Sequence, residues 1–226
     1  MKICAISDIH NRHNKVTIEP CDILIVAGDY TGQGLTSEVK NFHKWLNNQP
    51  ARHKLVVQGN HELYVQSAFA NAKMTAQEEC PDVIFVEHEL VEIEGLKIFC
   101  SAWTPFFHNW AYNAERTLED ACRNQIPFIG DKWKDIPMDT DILVTHGPPA
   151  GILDQCYYAD GVTPRERVGC YSLLEKLVQI PTLKHHFFGH IHSSHGEQEF
   201  KGIKFYNVSI CGETYYPDYP PTVIEV

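Results

Sequence analysis

The sequence of 226 residues lacks several features that would assign it to a familiar class. It has no CxxC pair, no apolar stretch of transmembrane length, no internal repeat and no excess of basic residues. The first two absences argue against a cysteine-based structural zinc module and a membrane-spanning helix. With 29 acidic residues against 19 basic ones and a net charge of -10, we expect neither a membrane partner nor long nucleic acid.

The hydrophobic content of the chain is sufficient for a buried core. Hydrophobic residues make up 43% of it, which predicts a single domain across residues 1–226. The eight cysteines are scattered, several of them inside apolar runs, so packing as reduced side chains is favoured over a disulfide framework. A cytoplasmic location is the corresponding expectation. Thirteen histidines raise the expectation of metal chemistry.

Short apolar runs rich in β-branched residues alternate with helical patterns. Nearly continuous hydrophobicity predicts buried strands at residues 2–7, 22–27, 54–58, 141–145 and 186–188. Helices are predicted at residues 35–46, 66–79, 113–124 and 172–179, and a strand pair at residues 83–91 and 96–102. Further strands are predicted near residues 204–209 and 222–226. This alternation favours an α/β sandwich with a mixed sheet.

Potential metal ligands follow five of these strands directly. The carboxyl ends of strands in an open α/β sheet are where ligands bind, because strand ends and short loops converge there. Each piece alone, such as Asp-x-His or Gly-Asp, is more often an ordinary turn than a metal site. Five such pieces in order, each at a strand end, predict a metal centre. The candidate ligands are Asp8, His10, Asp29, Asn60, His146, His190 and His192.

These residues resemble the motifs of the calcineurin-like metallophosphoesterases, and the resemblance spans nearly the whole chain. The family's D-x-H, G-D, G-N-H-E, strand-end His and G-H-x-H motifs appear in that order. Shorter segments are similar to the small UPF0046-type branch of metallophosphoesterase-domain proteins. The matching segments are Asp8-Ile9-His10, Gly28-Asp29, Gly59-Asn60-His61-Glu62, Thr145-His146 and Gly189-His190-Ile191-His192 for the family, and Trp103-Thr104-Pro105, His108-Asn109-Trp110-Ala111 and His146-Gly147-Pro148-Pro149 for the branch.

The resemblance implies a four-layer α/β/β/α sandwich that binds two metal ions and hydrolyses a phosphate ester. Site 1 would consist of Asp8, His10 and His192, and site 2 of Asn60, His146 and His190. Asp29 would bridge both sites. Mixed nitrogen and oxygen ligation suits Mn²⁺, or iron and zinc, better than Ca²⁺. A hydroxide held by the ions would attack phosphorus.

The resemblance also gives His61 a role apart from metal binding. It would protonate the leaving group or stabilise charge on the phosphoryl group. The alternative is a hydrogen-bonded turn histidine, which its motif neighbours disfavour. Glu62 is expected to fix the turn or a neighbouring ligand.

One motif departs from the phosphoprotein phosphatases of the superfamily. Their second motif reads G-D-x-x-D-R-G, whereas this chain has Gly32 and Gln33 in place of the aspartate and arginine. Loss of that arginine removes a bidentate donor for a phosphomonoester dianion. A small phosphodiester, such as a cyclic nucleotide, therefore becomes the favoured substrate.

Substrate contacts carry a weaker signal than the ligands. Arg12 is the candidate for a phosphate contact, although a solvated loop arginine is about as plausible, and Arg165 and Arg167 have a lesser claim. An aromatic cluster could stack on a nucleobase or simply pack at the rim. Its members are Trp103, Phe106, Phe107 and Trp110.

Two other functions stay open from the sequence. One is a phosphomonoesterase, and the other is a metal-binding or protein-binding scaffold that has lost the chemistry. The scaffold is disfavoured because every motif position is filled.

Overall fold

The computed structural model describes residues 1–157 and 163–226. Its strands are β1 (Lys2–Ile6), β2 (Cys21–Ala27), β3 (Ala51–Val57), β4 (Val83–Val86), β5 (His88–Ile93), β6 (Leu96–Ser101), β7 (Thr104–Pro105), β8 (Asn113–Ala114), β9 (Ile142–Thr145), β10 (Gln155–Tyr157), β11 (Pro164–Arg167), β12 (His185–Phe188), β13 (Gly196–Phe200), β14 (Ile203–Asn207) and β15 (Thr222–Glu225). Its helices are α1 (Thr36–Asn47), α2 (Leu63–Ser67), α3 (Phe69–Glu79), α4 (Leu118–Asn124), α5 (Ile129–Lys134) and α6 (Tyr171–Leu177). Short 3₁₀ turns occur at His13–Lys15 and His192–Ser194.

Two large sheets organise the fold. The first has the order β15-β1-β2-β3-β4, and all its pairs are parallel except the antiparallel pair of β15 with β1. The second has the order β13-β14-β12-β9-β6-β5, with parallel pairs in its centre and an antiparallel pair at each edge. A parallel bridge between Ser7 and Ser209 joins the two sheets where β1 ends. The carboxyl ends of the central strands therefore meet at a common edge.

Three buried clusters show how the layers stack. One face of the first sheet packs on α1 and α3, with Val26 against Phe42 and Leu46. Its other face packs on the second sheet, where Ile25 and Val144 share a cluster. Helices α5 and α6 pack on the outer face of the second sheet and form a third cluster with it. The order helix, sheet, sheet, helix confirms the predicted α/β/β/α sandwich with mixed sheets.

The structure corrects several predicted elements. Residues 83–91 do not form one strand, because β4 pairs with β3 in the first sheet and β5 pairs with β6 in the second. The chain crosses between the sheets at Glu87, where the polar run Glu87-His88-Glu89 interrupts the apolar pattern. The helix predicted at residues 113–124 begins only at Leu118, after Thr117 accepts the N–H of Asp120 as a cap.

The helix predicted at residues 66–79 is also different. It is two helices, α2 and α3, separated at Ala68, whose φ of -146° is not helical. The hairpin of β10 with β11, the edge strand β13 and helix α5 were not predicted. Among the described residues, none of the helices combines the length and apolarity that crossing a lipid bilayer requires.

Candidate metal centre

The seven candidate ligands converge at the common edge of the two sheets. Asp8, Asp29 and Asn60 follow β1, β2 and β3 of the first sheet. His146 and His190 follow β9 and β12 of the second sheet. Because parallel strands deliver their carboxyl ends to the same side, side chains far apart in sequence become neighbours.

The backbone at these strand ends is unusual. Four ligands have left-handed φ angles: 53° at Asp8, 43° at His10, 52° at Asp29 and 70° at His190. Residues other than glycine rarely adopt this conformation, which costs of order 1–3 kcal/mol where it is strained. Its concentration among the ligands indicates that the fold aims these side chains at the expense of stability.

Site 1 has the geometry expected around a cation. Ligand atoms of Asp8, His10 and His192 all lie within 4.8 Å of one another. The Nε2 atoms of the two histidines are 3.2 Å apart. Oδ2 of Asp8 accepts hydrogen bonds from the hydroxyls of Ser7 (2.6 Å) and Ser209 (2.7 Å). Oδ1 of Asp8 is buried and accepts no hydrogen bond from the described residues, which leaves it for an ion.

Site 2 is equally compact. Ligand atoms of Asp29, His146 and His190 lie within 4.8 Å of one another. Nε2 of His146 is 2.8 Å from Oδ1 of Asn60 and 3.2 Å from Oδ2 of Asp29. Asp29 also groups with His10 and His61 within the same limit, so its carboxylate lies between the two sites. The donors present therefore fit two ions with a shared carboxylate.

Hydrogen bonds at Nδ1 fix the orientation of two of the histidine rings, so that Nε2 of each is directed into the site. Nδ1–H of His146 donates to the carbonyl of Ala27 at 2.9 Å, and Nδ1–H of His192 donates to the carbonyl of Gly212 at 3.1 Å. A carbonyl only accepts, so each ring carries a proton on Nδ1 and, in its neutral form, can offer a lone pair at Nε2. Such orientation is typical of histidines that bind metals.

The electrostatics of the metal-free site are those of histidines beside buried carboxylates. Burial lowers the pKa of His10 and of His190 to about 4, so both rings are neutral at pH 7. Burial alone would lower the pKa of His146 too, but the charge of Asp29 raises it to about 10. Burial opposes ionisation of Asp8, yet the His192 imidazole, whose Nε2 is 3.4 Å from Oδ1, holds the pKa of that carboxyl well below its ordinary value. Cations between these groups would take over the role of the protons.

His61 lies beside the centre. Its Nδ1–H donates to the carbonyl of Gly32 at 2.8 Å, and its Nε2 is 4.0 Å from Oδ2 of Asp29. The ring of Trp110 packs against the His61 ring with a centroid distance of 4.2 Å. Glu62 acts as the turn-fixing residue that was expected, since its carboxylate accepts the backbone N–H groups of Asp29, Thr31 and Gly59.

A cavity of about 680 Å³ opens onto the centre. Asp29, Asn60 and His190 belong to its lining, and so do three members of the predicted aromatic cluster: Phe106, Phe107 and Trp110. Trp103 lies elsewhere, edge-on to Tyr112 and beneath the ammonium group of Lys132.

The arginines divide in a way that the sequence did not reveal. Arg12 is exposed and does not belong to the cavity wall, whereas Arg116, Arg165 and Arg167 do. Arg116 donates to the carbonyl of Gly169 at 2.9 Å, and Arg167 pairs with the buried carboxylate of Asp154 at 2.6 Å. Those two guanidinium groups hold the loop between β9 and α6.

Tyr215 is a residue of the site that the sequence analysis missed. Its ring centroid is 4.7 Å from that of His10 and 5.1 Å from that of His192, and it lines the cavity. No motif marks it. The only local signals are Gly212 and Pro217 on either side, and these predict a turn without predicting where its side chains point.

Comparison with known proteins agrees with this geometry. A sequence model described as calcineurin-like phosphoesterase matches residues 1–194. Metallophosphoesterase domain-containing protein 1 of Homo sapiens is 32% identical over 246 residues, covering 100% of this chain and 71% of that protein. A UPF0046 protein of Caenorhabditis elegans is 30% identical, covering 92% of this chain and 55% of its own length.

Solved structures show the same architecture. A phosphopantetheinyl hydrolase from Mycobacterium tuberculosis superposes with a TM-score of 0.61, covering 95% of this chain and 90% of that one. At 16% identity this likeness concerns the fold alone. The family match, the full-length relatives and the clustered ligands confirm the resemblance inferred from the motifs. The chain belongs to the calcineurin-like phosphoesterase family and is a metal-dependent phosphoesterase.

Proposed function

We propose that this chain hydrolyses small phosphodiesters with two metal ions, either Mn²⁺ or a combination of iron and zinc. The observation that carries the proposal is the convergence of two ligand groups, with Asp29 between them, beside one cavity whose lining includes Asp29, His190 and His192. Bound ions would supply Lewis acidity to the phosphoryl oxygens and lower the pKa of a water molecule. The ligands of sites 1 and 2 listed above would hold them.

The remaining chemistry falls to His61. The carbonyl of Gly32 holds Nδ1–H, and the Trp110 ring packs on the imidazole, so Nε2 is the atom free to act. Nε2 is 4.0 Å from the carboxylate of Asp29, beside both sites. With protons on both ring nitrogens, His61 would keep its Nδ1–H on Gly32 and give the Nε2 proton to the departing oxygen of the ester.

The preference for a diester rests on the lack of an arginine fork near the ligands. Gly32 and Gln33 stand where the phosphatases have aspartate and arginine, and their backbone N–H groups donate to Glu38. Arg116 and Arg167 already bind protein groups. A singly charged diester needs less positive charge than a dianionic monoester, so it suits this cavity better.

Cavity size and cysteine chemistry support the other parts of the proposal. A volume of about 680 Å³ is in the range of sites for small molecules. All eight cysteines are free thiols, which favours a reducing compartment such as the cytoplasm. The sequence favoured Arg12 as the phosphate contact. Arg165 is the better candidate, because it lines the cavity and Arg12 does not.

The test compares hydrolysis of bis-p-nitrophenyl phosphate and p-nitrophenyl phosphate by protein reconstituted with Mn²⁺. We expect a higher kcat/KM for the diester. Asp29→Asn and His61→Ala should each lower it by at least about 100-fold, the usual range for losing such a group. The matched control is His53→Ala, a histidine at the other end of β3 whose Nε2 contacts Glu94. It should behave as the unsubstituted protein does.

Each contrary result has a definite meaning. A higher kcat/KM for the monoester would replace the proposal with a phosphomonoesterase. Equal activity in the Asp29 and His61 variants would refute the assigned site. No hydrolysis, together with at most one ion per chain by elemental analysis, would indicate a non-catalytic scaffold.

A further inference from the structure

The orientation of His10 lacks the support that other histidines of the centre have. In three of them, Nδ1–H donates to a backbone carbonyl: His61 to Gly32, His146 to Ala27 and His192 to Gly212. Nδ1 of His10 is buried and has no hydrogen-bond partner among the described residues. Nε2 of His10 is directed at Nε2 of His192, 3.2 Å away, where an ion would bind, so no hydrogen bond from the described residues holds the His10 ring from the opposite side.

The rings of His61 and Tyr215 both pack edge-on against His10, and the His61 contact has a centroid distance of 4.6 Å. The ring of Tyr215 meets His10 edge-on, with a centroid distance of 4.7 Å and an interplanar angle of 65°. The same tyrosine meets His192 at 5.1 Å and 80°. Tyr215 thus contacts both site 1 histidines, whose Nε2 atoms are 3.2 Å apart. Edge-to-face contacts of this kind are directional, so they can hold a ring in one orientation.

The backbone places the Tyr215 ring at some cost. Tyr215 has a left-handed φ of 57°, which is unfavourable for a residue with a large side chain. The turn is closed by hydrogen bonds from Tyr215 N to Gly212 O (3.0 Å) and from Gly212 N to Tyr216 O (3.0 Å). Gly212 O also accepts from Nδ1 of His192, so the turn is tied directly to a ligand.

Core packing does not explain this arrangement. Tyr215 is 47% exposed, so burial of its ring contributes only part of the stability that a core tyrosine would. The next residue provides a comparison: Tyr216 is 48% exposed, and its hydroxyl accepts a hydrogen bond from Lys15 at 2.6 Å. Two adjacent tyrosines of equal exposure therefore have different surroundings, and only Tyr215 packs on the ligands.

We infer that Tyr215 is a positioning residue of site 1, whose ring substitutes for the missing hydrogen bond in holding His10, and with it His192, in the geometry that binds an ion. Tyr215 lies beyond residues 1–194, which the family model matches. The inference rests on the proposed function because it takes His10 and His192 as ligands.

Metal affinity is the readout that tests the inference. Metal-free protein is titrated with Mn²⁺ in a calorimeter, and two binding constants are measured for each variant. Tyr215→Leu should weaken one of the two sites by about 10-fold or more, as loss of a ligand-orienting partner does, and should leave the other unchanged. Tyr215→Phe keeps the ring and should retain both affinities. Tyr216→Leu is the matched control and should also retain both.

The variants separate a positioning role from a general structural one. Leucine at position 215 has the same strained backbone as tyrosine, so the unfolding temperature of the metal-free protein should stay close to that of the unsubstituted chain. Two unchanged affinities in Tyr215→Leu would overturn the inference and leave the proposed function standing. Equal weakening by Tyr215→Phe would show that the hydroxyl acts and the ring does not, which also overturns it. An unsubstituted protein that binds neither Mn²⁺ nor Zn²⁺ in the same titration would overturn both.

Discussion

Replacing Gly59 with alanine should inactivate the centre although no metal ligand is substituted. Gly59 has ordinary backbone angles, so alanine is acceptable on conformational grounds. A Cβ atom there, however, would lie 2.4 Å from Oδ1 and 2.5 Å from the backbone nitrogen of Asp29. It would also lie 2.9 Å from Cε1 of His146. The added methyl group and the shared carboxylate cannot occupy these positions together.

The size of the effect follows from these distances. An ordinary contact begins at 3.4 Å, so Oδ1 of Asp29 must withdraw by about 1 Å, from 2.4 to 3.4 Å. That movement would stretch the 2.8 Å hydrogen bond from the backbone N–H of His61 to Oδ1. A misplacement of 1 Å at a reacting centre costs about 100-fold in rate. The overpacking itself should lower the free energy of unfolding by about 1–3 kcal/mol.

The measurement is kcat/KM for bis-p-nitrophenyl phosphate at saturating Mn²⁺, with thermal unfolding measured in parallel. The control is Gly147→Ala, a glycine that directly follows the ligand His146, as Gly59 directly precedes the ligand Asn60. Its Cβ would be 3.3 Å from the methyl group of Thr104, a contact that a small side-chain shift relieves. A Gly59→Ala protein that keeps its metals and at least a third of the kcat/KM would refute the reasoning about the shared carboxylate.

Two further predictions concern the fold and His61. Burial lowers the pKa of His43 to about 4, whereas the unfolded chain has a histidine pKa of about 6.5. Since only the unfolded state takes up a proton in that window, His43 should remove about 2 kcal/mol of stability between pH 7 and pH 5. In urea unfolding, the free energy of unfolding of His43→Leu should fall by about 2 kcal/mol less between pH 7 and pH 5 than that of the unsubstituted protein. The same pH dependence in both proteins would contradict the assignment. Trp110→Leu, which removes the ring 4.2 Å from His61, should lower kcat by about 10-fold while leaving Mn²⁺ affinity intact. A change in Mn²⁺ affinity with kcat unaltered would contradict a role through His61.

The sequence predicted the parts of the site that strand ends determine. Asp8, Asp29 and Asn60 could be placed together because each follows an apolar run of the kind that forms a buried parallel strand. The apolar pattern is local, but parallel strands bring their carboxyl ends to the same edge of the sheet, so the pattern also predicts which side chains lie close together. The layered fold followed from the same alternation and from the family resemblance.

What the sequence concealed depends on tertiary contacts. The exchange of sheets coincides with the polar run Glu87-His88-Glu89, but a break in the apolar pattern does not show that β5 joins a different sheet from β4. The packing of Tyr215 on His10 depends on a left-handed turn that many sequences could form. The tying of Arg116 to Gly169 O likewise becomes visible only when the loop between β9 and α6 is in place.

The division of the ligands between the two sheets has a consequence for assembly of the protein. Strands β1 to β4 come from the first 86 residues, and β5 to β14 come from residues 88–207. The ions would cross-link these halves, since Asp8 is on one side and His192 on the other. A newly synthesised chain could therefore acquire its ions only after both halves have folded and docked. Ion binding then draws that equilibrium towards the docked state by RT ln(1 + [L]/Kd), so cellular metal supply would govern how much of the protein persists as well as how fast it turns over substrate.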